Sequence, residues 1–271
     1  MFWFKNERIF LKEDAPDVYL DVYAIDDKRL KPRDAMLVIP GGGYSHVCVD
    51  REGEKTALAY AARGINSFVL NYSVGENAVF PVQLECAALA MAWIKDNAER
   101  YNVNPDRVFA VGFSAGGHLC GTLATMYNFI EQRLGLSKDY VRPHGIVMAY
   151  PVVSAFRPTH EGSFKNLLKK PFDALTDEER LVHSIEMNVN AQTPPAFLWH
   201  TASDPGVPVQ GTLKLAIAYA NAKVPFTVRI YPYGPHGIAL GTEYSHTGNI
   251  DMIQPIAAKW IEESIEWMAT V

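Results

Sequence analysis

The pentapeptide Gly-Phe-Ser-Ala-Gly at residues 112–116 is the strongest chemical signal in this sequence. It directly follows an apolar run that ends at Val111 and precedes a stretch with the pattern of a helix. A G-x-S-x-G motif at a strand-to-helix junction is typical of a nucleophile elbow, a turn tight enough to strain the serine backbone. The flanking glycines avoid side-chain collisions, and the helix N-terminus directs free amides towards a developing anion. We therefore predict that Ser114 is a nucleophile; the alternative is a glycine-rich turn with an idle serine.

A serine nucleophile needs a general base, and His236 is the best placed of the eight histidines. It lies in a Gly-Pro-His-Gly loop after a predicted strand at residues 226–230, from where a base can reach over the strand ends. His46 and His118 are the nearest rivals, because each lies beside another motif. His118 would point one helical turn away from the serine, so we expect it to pack or to form hydrogen bonds. We predict structural or surface roles for the other five, which are His144, His160, His183, His200 and His246.

The base in turn needs an orienting acid, and Asp204 is the candidate. It follows a predicted buried strand at residues 196–199 and begins the turn-rich loop Asp-Pro-Gly-Val-Pro. In isolation, an aspartate in such a loop is as readily a turn or helix-cap residue. Its place between Ser114 and His236 in the chain favours the catalytic interpretation, because the order Ser, Asp, His is the one that one class of hydrolases uses.

A glycine run at residues 40–44, Pro-Gly-Gly-Gly-Tyr, follows the predicted strand at residues 35–39. Glycines let backbone amides approach a substrate closely, as an oxyanion hole requires. We expect the amides of Gly43 and Ala115 to form this hole, with Gly42 and Tyr44 as neighbouring candidates. A phosphate-binding loop is the competing interpretation, but the lysine of a Walker loop is missing and no G-x-G-x-x-G opens a helix here.

Alternating short apolar runs and longer amphipathic stretches predict the elements that position these residues. Residues 17–25 alternate like a half-exposed strand near a sheet edge. Continuous apolar character predicts buried parallel strands at residues 35–39, 67–70, 108–111, 145–149, 196–199 and 226–230. Helices are predicted at residues 53–63, 83–100, 115–127, 210–221 and 256–268. This alternation predicts an α/β fold with a doubly wound, mostly parallel sheet and helices on both faces, which binds ligands at the carboxyl ends of its strands.

One segment departs from the alternation. Residues 154–192 contain no predicted strand, only a polar stretch with helical patches. We predict a single α/β domain over residues 1–271 in which 154–192 is a lid-like insertion near the active site, because long insertions in compact domains are usually functional. A structural excursion without a role is the alternative.

Composition narrows the class of protein. The 25 basic residues do not outnumber the 30 acidic ones, so nucleic-acid binding has little electrostatic support. No apolar run approaches the roughly 18 residues of a membrane span, and the opening residues become charged too early for a signal peptide. The three cysteines, Cys48, Cys86 and Cys120, lack the spacing of a zinc site. We expect a cytoplasmic protein without membrane or nucleic-acid partners and without a metal or organic cofactor; the sequence leaves homo-oligomer formation open.

These motifs together resemble the α/β-hydrolase superfamily, and in particular its esterase/lipase branch with the acetyl xylan esterase-like carbohydrate esterases ("sugar hydrolases") and feruloyl-esterase-like proteins. The resemblance covers residues from about 35 to 240 and is carried by the segments PGGGY (40–44), REGE (51–54), GFSAGGH (112–118), FLWHTASD (197–204), VP (207–208) and GPHG (234–237). Two positions depart from it. Many relatives have histidine where this chain has Pro40, although the acetyl esterase branch often has proline there too. Many also read Tyr-Arg-Val where this chain has Tyr-Ser-Val at residues 72–74.

The resemblance implies hydrolysis of a small-molecule ester through an acyl-enzyme on Ser114, with His236 as base and Asp204 as its orienting acid. It further implies a short acyl group, most often acetyl, on a carbohydrate such as an acetylated oligosaccharide. Aromatic residues near the loops are candidates for stacking on a sugar ring, namely Tyr44, Phe156, Trp199 and Tyr233. The alternative is that they belong to the core, which is the more frequent place for aromatic residues at strand ends. The alternatives are a general short-chain carboxylesterase or lipase and, from another class, a non-catalytic binding protein with a hydrolase fold.

Overall fold

A computed structural model of the chain describes residues 4–25, 27–76 and 78–271. In these ranges the strands are β1 (Phe4–Phe10), β2 (Tyr19–Ile25), β3 (Arg33–Ile39), β4 (Asn66–Asn71), β5 (Val103–Phe113), β6 (Ile146–Ala149), β7 (Ala196–Thr201) and β8 (Phe226–Tyr231). They form one sheet in the order β1-β2-β4-β3-β5-β6-β7-β8. β2 pairs antiparallel with both β1 and β4, and all other pairings are parallel.

Helices cover both faces of this sheet. They are α1 (Lys55–Ala61), α2 (Val82–Asp96), α3 (Ser114–Thr125), α4 (Tyr127–Leu134), α5 (Lys138–Val141), α6 (Glu161–Leu168), α7 (Asp177–Val182), α8 (Ile185–Asn188), α9 (Gln210–Ala222) and α10 (Trp260–Met268). Alternate residues of each strand point to opposite faces. Leu37 of β3 therefore packs in a core with α2, α3 and α9, whereas its neighbour Val38 packs in a second core with α1 and α10.

The predicted fold class is confirmed: the sheet is mostly parallel and is sandwiched between two layers of helices. Two edge strands differ from expectation. β1 was not predicted, because its charged residues Glu7 and Arg8 hide the apolar signal; Arg8 instead pairs with Asp21 of β2 at 2.7 Å. β8 was predicted to be buried, yet its Arg229 and Ile230 are exposed, because this strand pairs on one side with β7 and its other side forms the edge of the sheet.

Residues 154–192 contain three short helices, α6 to α8, and no strand among the described residues. A 3₁₀ turn (Phe172–Ala174) joins α6 to α7. The segment buries Phe164, Phe172 and Leu175 in a small cluster with Val152, which follows β6, and Val207, which follows β7. It therefore lies over the carboxyl ends of these two strands. None of the helices in the described ranges is both long and apolar enough to span a membrane.

Candidate active site

The turn between β5 and α3 places Ser114 at the top of the sheet with a left-handed backbone, φ 52°. Two positions in this turn have room only for glycine. A Cβ at Gly112 would lie 2.4 Å from the carbonyl oxygen of Gly116, and one at Gly116 would lie 2.2 Å from the oxygen of Ile39. A Cβ at Gly41 would lie 2.9 Å from that of Ser114, so the glycine run also packs directly against the serine.

The structure brings Ser114, His236 and Asp204 into one hydrogen-bonded chain. His236 Nδ1 lies 2.7 Å from Asp204 Oδ2, and His236 Nε2 lies 2.8 Å from Ser114 Oγ. A carboxylate can only accept, so Nδ1 carries the proton and Nε2 accepts the serine hydroxyl hydrogen. This is the protonation pattern that allows the imidazole to remove a proton from the serine.

The carboxyl group of Asp204 is fully buried and is surrounded by donors. Its Oδ1 accepts the amide hydrogens of Gly206 at 2.7 Å and Val207 at 2.9 Å. Burial alone disfavours the charged form, but the hydrogen bonds from His200 and His236 outweigh it and hold the pKa of Asp204 below its usual range. The acid is therefore a carboxylate at neutral pH.

His200 is a residue of this site that the sequence analysis assigned to a structural or surface role. Its side chain is buried, and its Nε2 lies 3.0 Å from the carbonyl oxygen of Val207 and 3.3 Å from Asp204 Oδ2. Both neighbours are acceptors, so Nε2 carries the proton and Nδ1 accepts the hydroxyl hydrogen of Thr212 at 2.8 Å. His200 is thus a second donor to the acid. Its position four residues before Asp204, at the end of β7, is the signal that could have revealed it.

The glycine run supplies free backbone donors beside the serine. Gly42, Gly43 and Tyr44 have φ values of 130°, 63° and 59°, so three consecutive residues lie in the left-handed half of the conformational map. Neither their amides nor that of Ala115, in the first turn of α3, donate to an acceptor among the described residues. An anion at the serine would find unused donors on both sides.

The side chains of Tyr44 and His118 are buried and bind each other. The hydroxyl of Tyr44 lies 2.8 Å from His118 Nδ1, and His118 Nε2 lies 2.9 Å from the carbonyl oxygen of His183. A carbonyl only accepts, so Nε2 donates and Nδ1 accepts from the tyrosine. Both ring nitrogens of His118 are therefore occupied, in line with the expected hydrogen-bonding role. Tyr44 is 1% exposed and Trp199 is fully buried, so the idea that these two stack on a sugar is wrong.

Burial of two histidines predicts that the fold weakens in acid. Burial lowers the pKa of His118 and of His183 to about 4, from an ordinary 6.5. Between these values the unfolded chain binds more protons than the folded one. The free energy of unfolding is therefore intact above pH 6.5 and falls as the pH drops towards 4, by on the order of 3 kcal/mol per histidine. Urea unfolding at pH 7.5, 5.5 and 4.5 measures this loss.

The variant His118→Gln assigns part of the loss to one side chain. It should show a shallower fall in unfolding free energy between pH 6.5 and 4.5, because glutamine does not titrate there. The half-buried His246, replaced in the same way, is the matched control and should leave the pH dependence as it is in the wild type. A His118→Gln protein with the wild-type pH dependence would contradict the assignment.

No group of histidine, cysteine and acidic side chains in the described ranges is arranged to hold a metal ion. Cys48, Cys86 and Cys120 are all free thiols.

The mostly parallel sheet, the serine at the β5–α3 turn and the aspartate and histidine that follow β7 and β8 define an α/β hydrolase. The profile of one family, described as BD-FAE, matches residues 20–218, which is most of the chain. The chain belongs to this family.

Similar proteins include several esterases. The chain is 38% identical to "Endo-1,4-beta-xylanase B" of Butyrivibrio fibrisolvens over 80% of its own length but 34% of the relative's. It is 32% identical to "Acetylxylan esterase" of Xylanibacter ruminicola over 78% of its own length and 42% of the relative's. It thus spans less than half of these curated relatives.

Two solved structures match almost end to end. An acetyl ester-xyloside bifunctional hydrolase from Caldicellulosiruptor lactoaceticus has a TM-score of 0.83 at 31% identity, covering 98% of this chain and 96% of that one. A sugar hydrolase from Lactococcus lactis has a TM-score of 0.80 at 27% identity, covering 98% of both chains.

Proposed function

We propose that this protein is a serine carboxylic-ester hydrolase that removes short acyl groups, above all acetyl, from a carbohydrate or a similar small ester. The observation that carries the proposal is the hydrogen-bonded chain from Ser114 Oγ through His236 to the buried Asp204, beside free backbone amides. The acetyl and xyloside substrates in the names of its relatives support the choice of acyl group and alcohol.

In the proposed reaction, Ser114 Oγ attacks the ester carbonyl carbon while His236 Nε2 takes the serine proton. Asp204 stabilises the resulting imidazolium, and the amides of Gly43 and Ala115 bind the oxyanion. The imidazolium then protonates the departing alcohol, which leaves an acyl-enzyme. In the second half, His236 removes a proton from water, the hydroxide attacks the acyl carbon, and Ser114 is released with its proton restored.

A series of substrates tests this function. We expect turnover of p-nitrophenyl acetate, with kcat/KM falling as the acyl chain lengthens to octanoate, and release of acetate from acetylated xylo-oligosaccharides. Rates that rise with chain length would favour the general carboxylesterase or lipase instead. Absence of turnover on every ester, from folded and monodisperse protein, would favour the non-catalytic binding protein.

The insertion at residues 154–192 forms one wall of the proposed substrate site. Asn166 Nδ2, on α6, donates a hydrogen bond to the carbonyl oxygen of Gly43 at 2.8 Å. The ring of His160 also lies beside the glycine run, since a Cβ at Gly43 would be 3.8 Å from its Cε1. The insertion is therefore tied to the loop that binds the oxyanion in the proposed reaction, which fits a lid-like role.

His160 is the residue of this wall that is equipped to bind substrate, although the sequence analysis gave it a structural or surface role. The amide of Ser163 donates to His160 Nδ1 at 3.2 Å, so the ring proton is on Nε2. Burial lowers the pKa of His160, which keeps the ring neutral at pH 7. Nε2–H has no acceptor among the described residues and is free to donate to a substrate oxygen.

We expect His160→Ala to raise KM for an acetylated xylo-oligosaccharide about tenfold with little change in kcat, the size of one neutral hydrogen bond. The KM for p-nitrophenyl acetate, which has no sugar oxygens, should change less. Steady-state kinetics on both substrates measure the difference, with His246→Ala as the control. Equal KM values for His160→Ala and wild type on the sugar ester would contradict this role.

A reducing, cytoplasmic setting is part of the proposal, in which the substrates are small acetylated sugars and not polymers. Three free thiols, one of them half-buried Cys48, support it. Fractionation of cells that express the protein from its own gene tests the location.

A further inference from the structure

The carboxylate of Glu52 is buried beside the site, and the sequence analysis assigned it no function. Glu52 is 1% exposed and lies in a π-helical turn, Val49–Glu54, a type of turn that is frequent at functional sites. Its Oε2 accepts the amide hydrogen of Gly41 at 2.7 Å, and its Oε1 accepts the hydroxyl hydrogen of Tyr150 at 2.9 Å. Each carboxylate oxygen therefore faces a donor from a different part of the chain.

The first of these contacts holds the glycine run. Gly41 is the residue of that run that packs directly against Ser114. Its hydrogen bond to Glu52 fixes the orientation of the peptide group between Pro40 and Gly41, directly before Gly42 and Gly43. The backbone directly before the free amides of these two residues is therefore held in place, as a preorganised oxyanion hole requires.

The second contact holds the loop that carries His236. Tyr150 accepts the amide hydrogen of Ala239 at 3.0 Å on the same hydroxyl that donates to Glu52. Its ring meets the His236 ring edge to face, with centroids 5.1 Å apart. The guanidinium of Arg51, the neighbour of Glu52, fills the space below the loop, since a Cβ at Gly237 would be 3.1 Å from its Nη2.

We propose that Glu52 is a positioning residue that holds the oxyanion donors and the base in their relative places, through Gly41 on one side and Tyr150 on the other. The inference rests on the proposed ester hydrolysis and extends it to residues that do not touch the substrate. Because misplacement by about 1 Å can cost 100-fold in rate, such a connection acts on the transition state more than on substrate binding.

The isosteric variant Glu52→Gln tests the proposal. Glutamine keeps the volume but has no charge and a single acceptor oxygen, so it can accept from only one of Gly41 and Tyr150, and the ion pair with Arg51 at 3.6 Å is lost. We expect kcat for p-nitrophenyl acetate to fall about 10- to 100-fold with KM within about twofold of wild type. Affinity for methylboronic acid, which adds to the serine as a tetrahedral adduct, should weaken in parallel.

Two further variants separate positioning from general stability. Glu54→Gln changes the exposed glutamate of the same turn and should keep wild-type kcat. Tyr150→Phe keeps the ring against His236 but removes the hydroxyl, and it should lower kcat as well. Combined with Glu52→Gln, it should cost less than the product of the two single losses, because both act through one hydrogen-bonded connection. Tyr150→Phe also serves as the test if Glu52→Gln does not fold.

The outcomes distinguish this inference from the proposed function. If wild type and Ser114→Ala are equally inactive on every ester, the proposed function itself is overturned. If wild type is active but both Glu52→Gln and Tyr150→Phe keep kcat and boronic acid affinity within twofold, the positioning role is overturned. A lower unfolding midpoint with unchanged kcat would likewise reduce Glu52 to a structural residue.

Discussion

The variant Ser114→Ala should lose about 10⁶-fold in kcat on p-nitrophenyl acetate, the loss measured when a serine nucleophile is deleted from a comparable triad. Alanine keeps the Cβ and the left-handed backbone of the turn, so the fold and the neighbouring amides remain. It removes the only hydroxyl that His236 Nε2 contacts among the described residues. KM should stay near the wild-type value, because the acyl and alcohol sites are untouched.

Long incubations at high enzyme concentration, with p-nitrophenol release corrected for the rate without enzyme, measure the residual rate of Ser114→Ala. Ser73→Ala is a suitable control, since its hydroxyl donates to Asp17 and not to Ser114, His236 or Asp204. Labelling with a fluorophosphonate should follow the same pattern: wild type and Ser73→Ala react, and Ser114→Ala does not. Residual kcat above about 1% of wild type would show that another residue is the nucleophile.

The variant Asp204→Asn should lose about 10⁴-fold in kcat, because it moves the ring proton of His236 from Nδ1 to Nε2. An asparagine oxygen in the place of Oδ1 still accepts the amides of Gly206 and Val207. Its NH₂ group then faces His236 Nδ1, which must become an acceptor. Nε2 consequently carries the ring proton and points it at the serine, so it cannot take the serine proton.

The same NH₂ group also meets His200 Nε2–H, a second donor, so the neutral variant loses an acceptor that two histidines share. We expect KM to change little, because the substitution leaves the acyl and alcohol sites untouched. Asp251→Asn, on an exposed turn, is the matched control. A kcat for Asp204→Asn within 100-fold of wild type would contradict the role given to Asp204.

The sequence by itself determined those features that depend on the backbone of one local segment, such as a tight turn, a strand or a helix. Gly112 and Gly116 identify the turn at Ser114 because no other residue fits positions so close to neighbouring backbone. The fold class followed from the period of the apolar runs, which depends on each strand and helix separately. Asp204 and His236 were predicted as site residues because loops that follow strands converge at one edge of a parallel sheet.

The tertiary structure alone decided which polar residues support the site. The segment of Glu52 gives no sign of burial, and His200 directly follows the predicted strand at residues 196–199 without any sign of its partners. The contacts on which their proposed roles rest come from Thr212, Gly41 and Tyr150, which lie in distant elements. Exposure of the edge strands β1 and β8 likewise depends on the order in which strands pair. A hydrogen-bond partner or a sheet neighbour is a non-local contact, and a pattern along one segment does not contain it.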